Sequence, residues 1–146
     1  MNILIISPGK AHDHTVAEGI SEYEKRLKQF AVEWAHPKAS DKDTESAAIL
    51  KLLKDGDYAV LLDERGRDID TPGFAKLIDA QMQAGTKRLV FIIGGAFGVN
   101  ESVIGRAQAT IKVSSLVFPH MLVRLVLVEQ LYRSSSILSG GKYHHA

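Results

Sequence analysis

The residues best suited to chemistry in this 146-residue chain lie in its last third. Tyr143, His144 and His145 set a phenol and two imidazoles at the C-terminal end, soon after the apolar run from Leu122 to Leu131. Ionisable groups next to the most hydrophobic segment imply a tail that is docked and used. Two other stretches suit ligand binding. Gly94-Gly95-Ala96-Phe97-Gly98 closes an apolar run, and consecutive glycines let main-chain amides and carbonyls approach a ligand without interference from Cβ. Ser114-Ser115-Leu116-Val117-Phe118-Pro119 combines hydroxyls with apolar side chains just before the hydrophobic run. Together these point to a small-molecule site, able to hold a purine or an amino-acid group, that the tail completes.

Each feature also has a plainer reading. The glycine turn lacks the G-x-G-x-x-G spacing of a dinucleotide site and the lysine of a phosphate loop, so it reads equally as a tight turn. Ser114 and Ser115 suit ordinary turn chemistry, and Pro119 suits the first turn of a helix. His12 and His14 flank Asp13, but no carboxylate-histidine motif follows and no metal site is expected. His36 before Pro37 reads as solvated loop. His120 opens the last helix, where a structural hydrogen bond competes with catalysis. Lys25, Arg26 and Lys28 read as a solvated helix face that is also able to touch phosphates.

The elements that must position these residues alternate. Ile3 to Ile6, Ala31 to Trp34, Tyr58 to Leu62, Leu89 to Ile93 and Ile111 to Val113 read as strands. Between the first two, Val16, Ile20, Tyr23, Leu27 and Phe30 recur at helical spacing. A second helix starts near Ser40-Asp41 and stops at Gly56, a third starts at Thr71-Pro72 and ends before Gly85, and Asn100 caps a short one through Ala107. The fourth strand, free of polar residues, is expected at the centre of the sheet. Strands separated by helices predict a mostly parallel sheet with ligands beyond the carboxyl ends of its strands. The candidate loops are then Asp63-Glu64-Arg65-Gly66, Gly94 to Gly98, and Ser114 to Pro119. The final helix is apolar nearly all round, which implies burial against the sheet on one side and a second copy of the chain on the other.

Composition limits the alternatives. The length suits one domain over residues 1–146, and 45% hydrophobic residues suffice for a core. Eighteen basic against 17 acidic side chains give a formal charge of +1, so any RNA contact must come from a local patch or an assembled surface. The absence of cysteine excludes disulfides and thiolate zinc sites and agrees with a cytoplasmic location. The apolar start is broken by Pro8-Gly9 and reads as a buried strand rather than a signal peptide or membrane span.

The order of motifs in the C-terminal half carries a resemblance. Ile92-Ile93-Gly94-Gly95-Ala96-x-Gly98, then Ser114-x-Leu116-x-x-Pro119-His120-x-Leu122-Val123-Arg124, then Glu129-Gln130-Leu131-Tyr132-Arg133 and Tyr143-His144, resembles the ribosomal large-subunit RNA pseudouridine N3-methyltransferases of the SPOUT class. The similarity covers essentially the whole chain. It implies a trefoil-knotted α/β domain, an exception to unknotted topology. It implies S-adenosylmethionine held by Leu62, Gly95, Ser114, Ser115, Leu116, Val117, Phe118 and Pro119. It implies a homodimer in which the tail of one subunit completes the cleft of the other, with Tyr143 and His144 assisting methyl transfer to a pseudouridine of 23S ribosomal RNA within the ribosome. Relatives commonly continue with an arginine and an acidic residue where this chain has His145 and Ala146, so either His145 takes over the arginine's contact with RNA or the terminal carboxylate of Ala146 helps as an acceptor. The competing readings are a nucleotide-dependent oxidoreductase, for which only Glu33 is near the position of a ribose-binding acid, and a non-catalytic dimeric ribosome-binding module.

Overall fold

A computed structural model describes residues 1–145. The elements alternate as β1 (Asn2–Ile6), α1 (His14–Glu24), β2 (Ala31–Ala35), α2 (Lys42–Leu52), β3 (Tyr58–Asp68), α3 (Thr71–Gln83), β4 (Arg88–Ile93), α4 (Glu101–Arg106), β5 (Ala109–Lys112) and α5 (His120–Leu138). The five strands form one sheet in the order β2-β1-β4-β3-β5, and every neighbouring pair is parallel. β4 is central, as its unbroken apolar sequence requires. Because side chains alternate across a strand, Ile3, Ile5, Leu89, Phe91 and Ile93 face one layer while Leu4, Ile6, Val90 and Ile92 face the other. The first layer is closed by Ile20 of α1, Phe74, Leu77 and Ile78 of α3, and Leu127, Val128 and Leu131 of α5. The second is closed by Ile49 of α2 and Val103 of α4.

Side-chain caps set the helix starts that position the site. Asp41 accepts from the Thr44 amide at 2.9 Å, Asp70 from the Gly73 amide at 2.8 Å, and Asn100 from the Ser102 amide at 3.0 Å. Three boundaries differ from the expectation. α1 ends at Glu24, so Leu27 and Phe30 are buried from the connection to β2 rather than from the helix; helical spacing persists there because both residues fold back onto the same core. α2 ends at Leu52, and Gly56 serves a separate turn with φ +88°. Pro119 is the N-cap of α5 rather than its first helical residue.

The largest correction concerns Asp63-Glu64-Arg65-Gly66, which is not a loop after β3 but an excursion within it. Leu62 and Arg67 both pair with Ile111, so the strand leaves its partner, bulges through four residues and rejoins at the same place. Asp63 holds the bulge by accepting from the Arg65 amide at 2.9 Å and from its guanidinium at 2.8 and 2.9 Å, and these bonds keep the carboxyl below the usual range. Gly66 is essential to the closure. A Cβ there would lie 2.6 to 2.8 Å from the backbone of Ile111, closer than van der Waals contact permits. Gly66→Ala should therefore lower stability by about 1–3 kcal/mol, the usual cost of overpacking, measured by urea unfolding; an unchanged midpoint would show that β5 moves freely.

Candidate active site

The site assembles at the carboxyl edge of the sheet because parallel strands deliver all their following segments to one side. Leu62 is the reference point: it pairs with Ile93 of β4 and with Ile111 of β5. Gly95 thus starts two residues beyond one neighbour, and Ser114 three beyond the other. The two strands lie two interstrand steps apart, about 10 Å, which is the scale of a nucleoside.

The glycine turn is fixed from a neighbouring helix that the sequence reading did not implicate. Gly98, with φ +74°, bonds through its amide to the carbonyl of Gly95 at 3.1 Å. The first turn of α2 then docks on it: Glu45 accepts from the Gly95 amide at 3.2 Å, Ser46 from the Asn100 amide at 3.0 Å, and Asp43 from the Asn100 side chain at 3.0 Å. Glu45 is only 3% exposed, and burial pushes its carboxyl above the usual range. Asp-x-Glu-Ser after a helix cap carries no distinctive signal, so only the fold exposes this role.

In the segment after β5, Ser114 closes a local turn by accepting from the Leu116 amide at 2.9 Å. Leu116 and Val117 are 72% and 88% exposed, apolar side chains presented to the edge, while Phe118 is half-buried and Ser115 and Pro119 are exposed. Phe97 on the glycine turn is also exposed. The edge therefore offers main-chain polar groups on one bank and apolar surface on the other.

A buried arginine anchors the start of α5. Arg124, fully buried, donates from Nε to the Ser7 hydroxyl at 2.7 Å, from Nη2 to the carbonyls of Ser7 and Pro8 at 3.2 and 3.4 Å, and from Nη1 to His12 Nδ1 at 3.2 Å. His12 sits edge-on against Trp34 at 4.4 Å between ring centroids and against His36 at 5.3 Å. His36 is half-buried with Nδ1 2.8 Å from the Ser7 carbonyl, so it is not the solvated loop residue its sequence context suggested. His14 is exposed and pairs with Glu18 at 3.1 Å, apart from His12. Among the described residues no group of three metal-ligating side chains forms.

The tail lies elsewhere. Tyr143 donates its hydroxyl to Glu129 at 3.1 Å and its amide to Ser136 at 3.3 Å, its ring meets Tyr132 at 4.7 Å, and Arg133 lies over that ring at 4.7 Å. Burial, with Glu129 and Tyr23 adding to it, pushes the Tyr143 phenol well up. His144 Nδ1 is 3.2 Å from Arg133 Nη1; an arginine only donates, so Nδ1 accepts and the ring proton sits on Nε2. His145 is exposed, and Ala146 lies outside the described residues. Arg26 is exposed, as expected of a solvated face, with its guanidinium 5.8 Å from the centre of the Tyr132 ring. From His120, Glu129 is nine residues and Arg133 thirteen along α5, about 14 and 20 Å at 1.5 Å per residue. The structure thus places the segments that carry Leu62, Gly95 and residues 114–119 at the carboxyl ends of neighbouring strands but leaves Tyr143 and His144 of the same chain far down the helix.

The imidazoles near Arg124 make stability depend on pH. Burial, then the guanidinium, holds both His12 and His120 below the ordinary imidazole value of 6.5. A depressed value means the unfolded chain takes up the proton first, so this stabilisation is complete above the ordinary value of the unfolded chain and is lost as pH falls from there through the folded one. His12→Gln keeps an acceptor for Arg124 and removes the titration. Between about pH 7 and pH 5, wild type should lose more unfolding free energy than His12→Gln in parallel urea titrations; parallel curves would refute the coupling.

Known proteins share this arrangement in sequence. The family model described as "Predicted SPOUT methyltransferase" matches residues 1–144. Proteins named ribosomal RNA large subunit methyltransferase H are similar over nearly their whole length: that of Parabacteroides distasonis is 36% identical, covering 99% of each chain, and that of Geotalea daltonii 35% identical, covering 99% of this chain and 100% of the relative. One from Clostridium botulinum strain Kyoto is 37% identical over 99% of both chains. With a parallel α/β sheet, a glycine turn and a ligand-sized edge already in place, this full-length match shows that the chain belongs to the SPOUT methyltransferase family.

Proposed function

We propose that this protein is a single-domain, homodimeric enzyme that uses S-adenosylmethionine to methylate N3 of a pseudouridine in 23S ribosomal RNA, on the assembled ribosome. The observation that carries this reading is the convergence of Leu62, Gly95 and residues 114–119 on one edge, in a chain whose full-length relatives are named for methylating large-subunit RNA. The residues at the edge fit the cofactor. Around Gly95 a Cβ would meet the Glu45 carboxylate at 2.7 Å, so the turn is cut to backbone dimensions, while Leu116 and Val117 offer apolar faces to an adenosine. In this reading Leu62, Gly95 and Ser114 to Pro119 hold the cofactor, whose sulfonium supplies an electrophilic methyl group. The segment 113–119 links edge strand β5 to a helix anchored beyond the end of β1, and in the proposed trefoil-knotted fold implied by the family it belongs to the knot.

The proposed dimer follows from the length of α5. A tail held about 14 to 20 Å from the start of its own helix does not close its own edge, whereas a second copy brings one there. Leu122 is 38% exposed and Val126 half-buried one turn further along, leaving apolar surface for that contact; Leu125, by contrast, packs on Gly19 within the subunit. Tyr143, its phenol pushed up by burial, stays protonated at neutral pH and donates. His144, with Nδ1 engaged by Arg133, presents Nε2–H as a donor that orients a base carbonyl. His145, exposed beside it, is the tail imidazole left to receive the N3 proton. The near-neutral charge of +1 gives little hold on naked RNA, so assembled ribosomes should be methylated in preference to free 23S RNA in a tritiated-methyl assay.

Two experiments test the division of labour. His144→Ala should leave cofactor affinity within a few-fold by calorimetry while transfer to ribosomes falls by about 10²-fold, the scale of a lost orienting contact; loss of cofactor binding would remove the tail from the chemistry. Mixing Gly95→Ala, impaired in the cleft, with His144→Ala, impaired in the tail, should restore activity, because the mixed dimer contains one intact cleft facing one intact tail. No recovery on mixing would show that each chain uses its own tail.

A further inference from the structure

Glu45 is placed at a cost that its visible contacts do not offset. The residue is buried, 3% exposed, and the one hydrogen bond its carboxylate receives is the Gly95 amide at 3.2 Å. Among the described residues no lysine, arginine or histidine lies within ion-pair distance of it, although the other buried carboxylate, Asp57, is paired with Arg88. A charge withdrawn from water without a counter-charge is destabilising. Docking α2 on the turn does not require it, since Asp41 already caps the helix and Ser46 and Asp43 already hold Asn100. A neutral amide would accept from Gly95 equally well. The negative charge itself is the unexplained quantity, and it lies against the turn proposed to hold a ligand with a sulfonium and an ammonium.

Resting on the cofactor reading above, we propose that Glu45 is the counter-charge for the cationic methionine half of S-adenosylmethionine. The cofactor supplies the counter-charge that the protein does not, so the buried carboxylate selects a positively charged ligand and is stabilised by it. Burial raises the strength of such a pair by lowering the effective dielectric around it. Glu45 is a binding and specificity residue in this account, distinct from the backbone contacts of Gly95 that hold the uncharged adenosine half.

Calorimetry on the full chain tests this with three ligands: S-adenosylmethionine with both cations, S-adenosylhomocysteine with the ammonium only, and 5′-methylthioadenosine with neither. Glu45→Gln keeps the shape and the acceptor for Gly95. It should weaken S-adenosylmethionine about tenfold or more, each tenfold being about 1.4 kcal/mol, and leave methylthioadenosine within about twofold. S-adenosylhomocysteine then identifies the cation: a loss equal to that of S-adenosylmethionine assigns the ammonium, and a smaller one the sulfonium, either outcome supporting the proposal. Equal weakening of methylthioadenosine, or unchanged S-adenosylmethionine, overturns it. Without ligand Glu45→Gln should melt no lower than wild type, because it removes an unpaired buried charge; a variant that melts lower or does not fold makes the carboxylate a structural clamp and overturns the proposal as well. A wild type that binds none of the three removes the cofactor reading and the proposal with it, whereas binding with no charge preference removes the proposal alone.

Discussion

The buried guanidinium of Arg124 is the contact on which the functional half of the molecule depends. It joins the start of α5 to the carboxyl end of β1, three strands away in the sheet order from β5, the strand that α5 follows. All its partners are neutral, the Ser7 hydroxyl, two carbonyls and an imidazole, so no single partner offsets the cost of withdrawing the charge from water. Burial accordingly pushes its proton affinity down, with Asp13 the opposing influence. The anchor is effective only when every acceptor is in place. Residues 113–119 are thereby strung between two fixed ends, β5 and the first turn of α5, and their exposed apolar side chains are held across the edge although they make few contacts of their own.

The length of α5 sets a second constraint. A 19-residue helix separates the ligand edge from the tail by several turns, and Glu129 and Arg133 gather Tyr143 and His144 at the far end. In the proposed enzyme, cofactor binding and substrate orientation are consequently built on different parts of one helix. Within one chain they are kept apart; between two chains the same helix becomes the means of bringing them together, which is why the oligomer and the mechanism belong to a single proposal.

Much of this was legible in the sequence because it rests on local rules. Hydrophobic runs between helix caps marked every element of the alternating order, the central place of β4 followed from its lack of polar residues, and parallel strands ending at one edge singled out the segments after Ile93 and Val113, whereas the individual residues Leu62, Gly95 and Ser114 to Pro119 were implied by the family resemblance. What stayed hidden depends on contacts between residues far apart in sequence. Arg124 reads as a charged residue on an apolar helix until Ser7, 117 positions away, is beside it. Glu45 reads as a solvated first-turn acid until Gly95 is 3.2 Å from it. His36 reads as loop for the same reason, and Leu27 and Phe30 prolong a helical pattern that the backbone does not follow. Asp63 to Gly66 looked like a loop because its composition is that of a turn; the pairing of residues on both sides with Ile111 makes it part of a strand.

That excursion has a consequence for how the fold tolerates changes in length. A bulge that leaves one partner residue and returns to the same one is a closed detour, so the registers before and after it are set independently of the number of residues inside. Additions within Asp63 to Gly66 leave Leu62 opposite Ile93 and Arg67 opposite Ile111, provided a glycine remains at the point of closest approach. The detour projects from the same edge as the ligand segments. It is a place where new surface can be added beside the site, and so a place where one catalytic frame can acquire different neighbours without disturbing the strands that hold it.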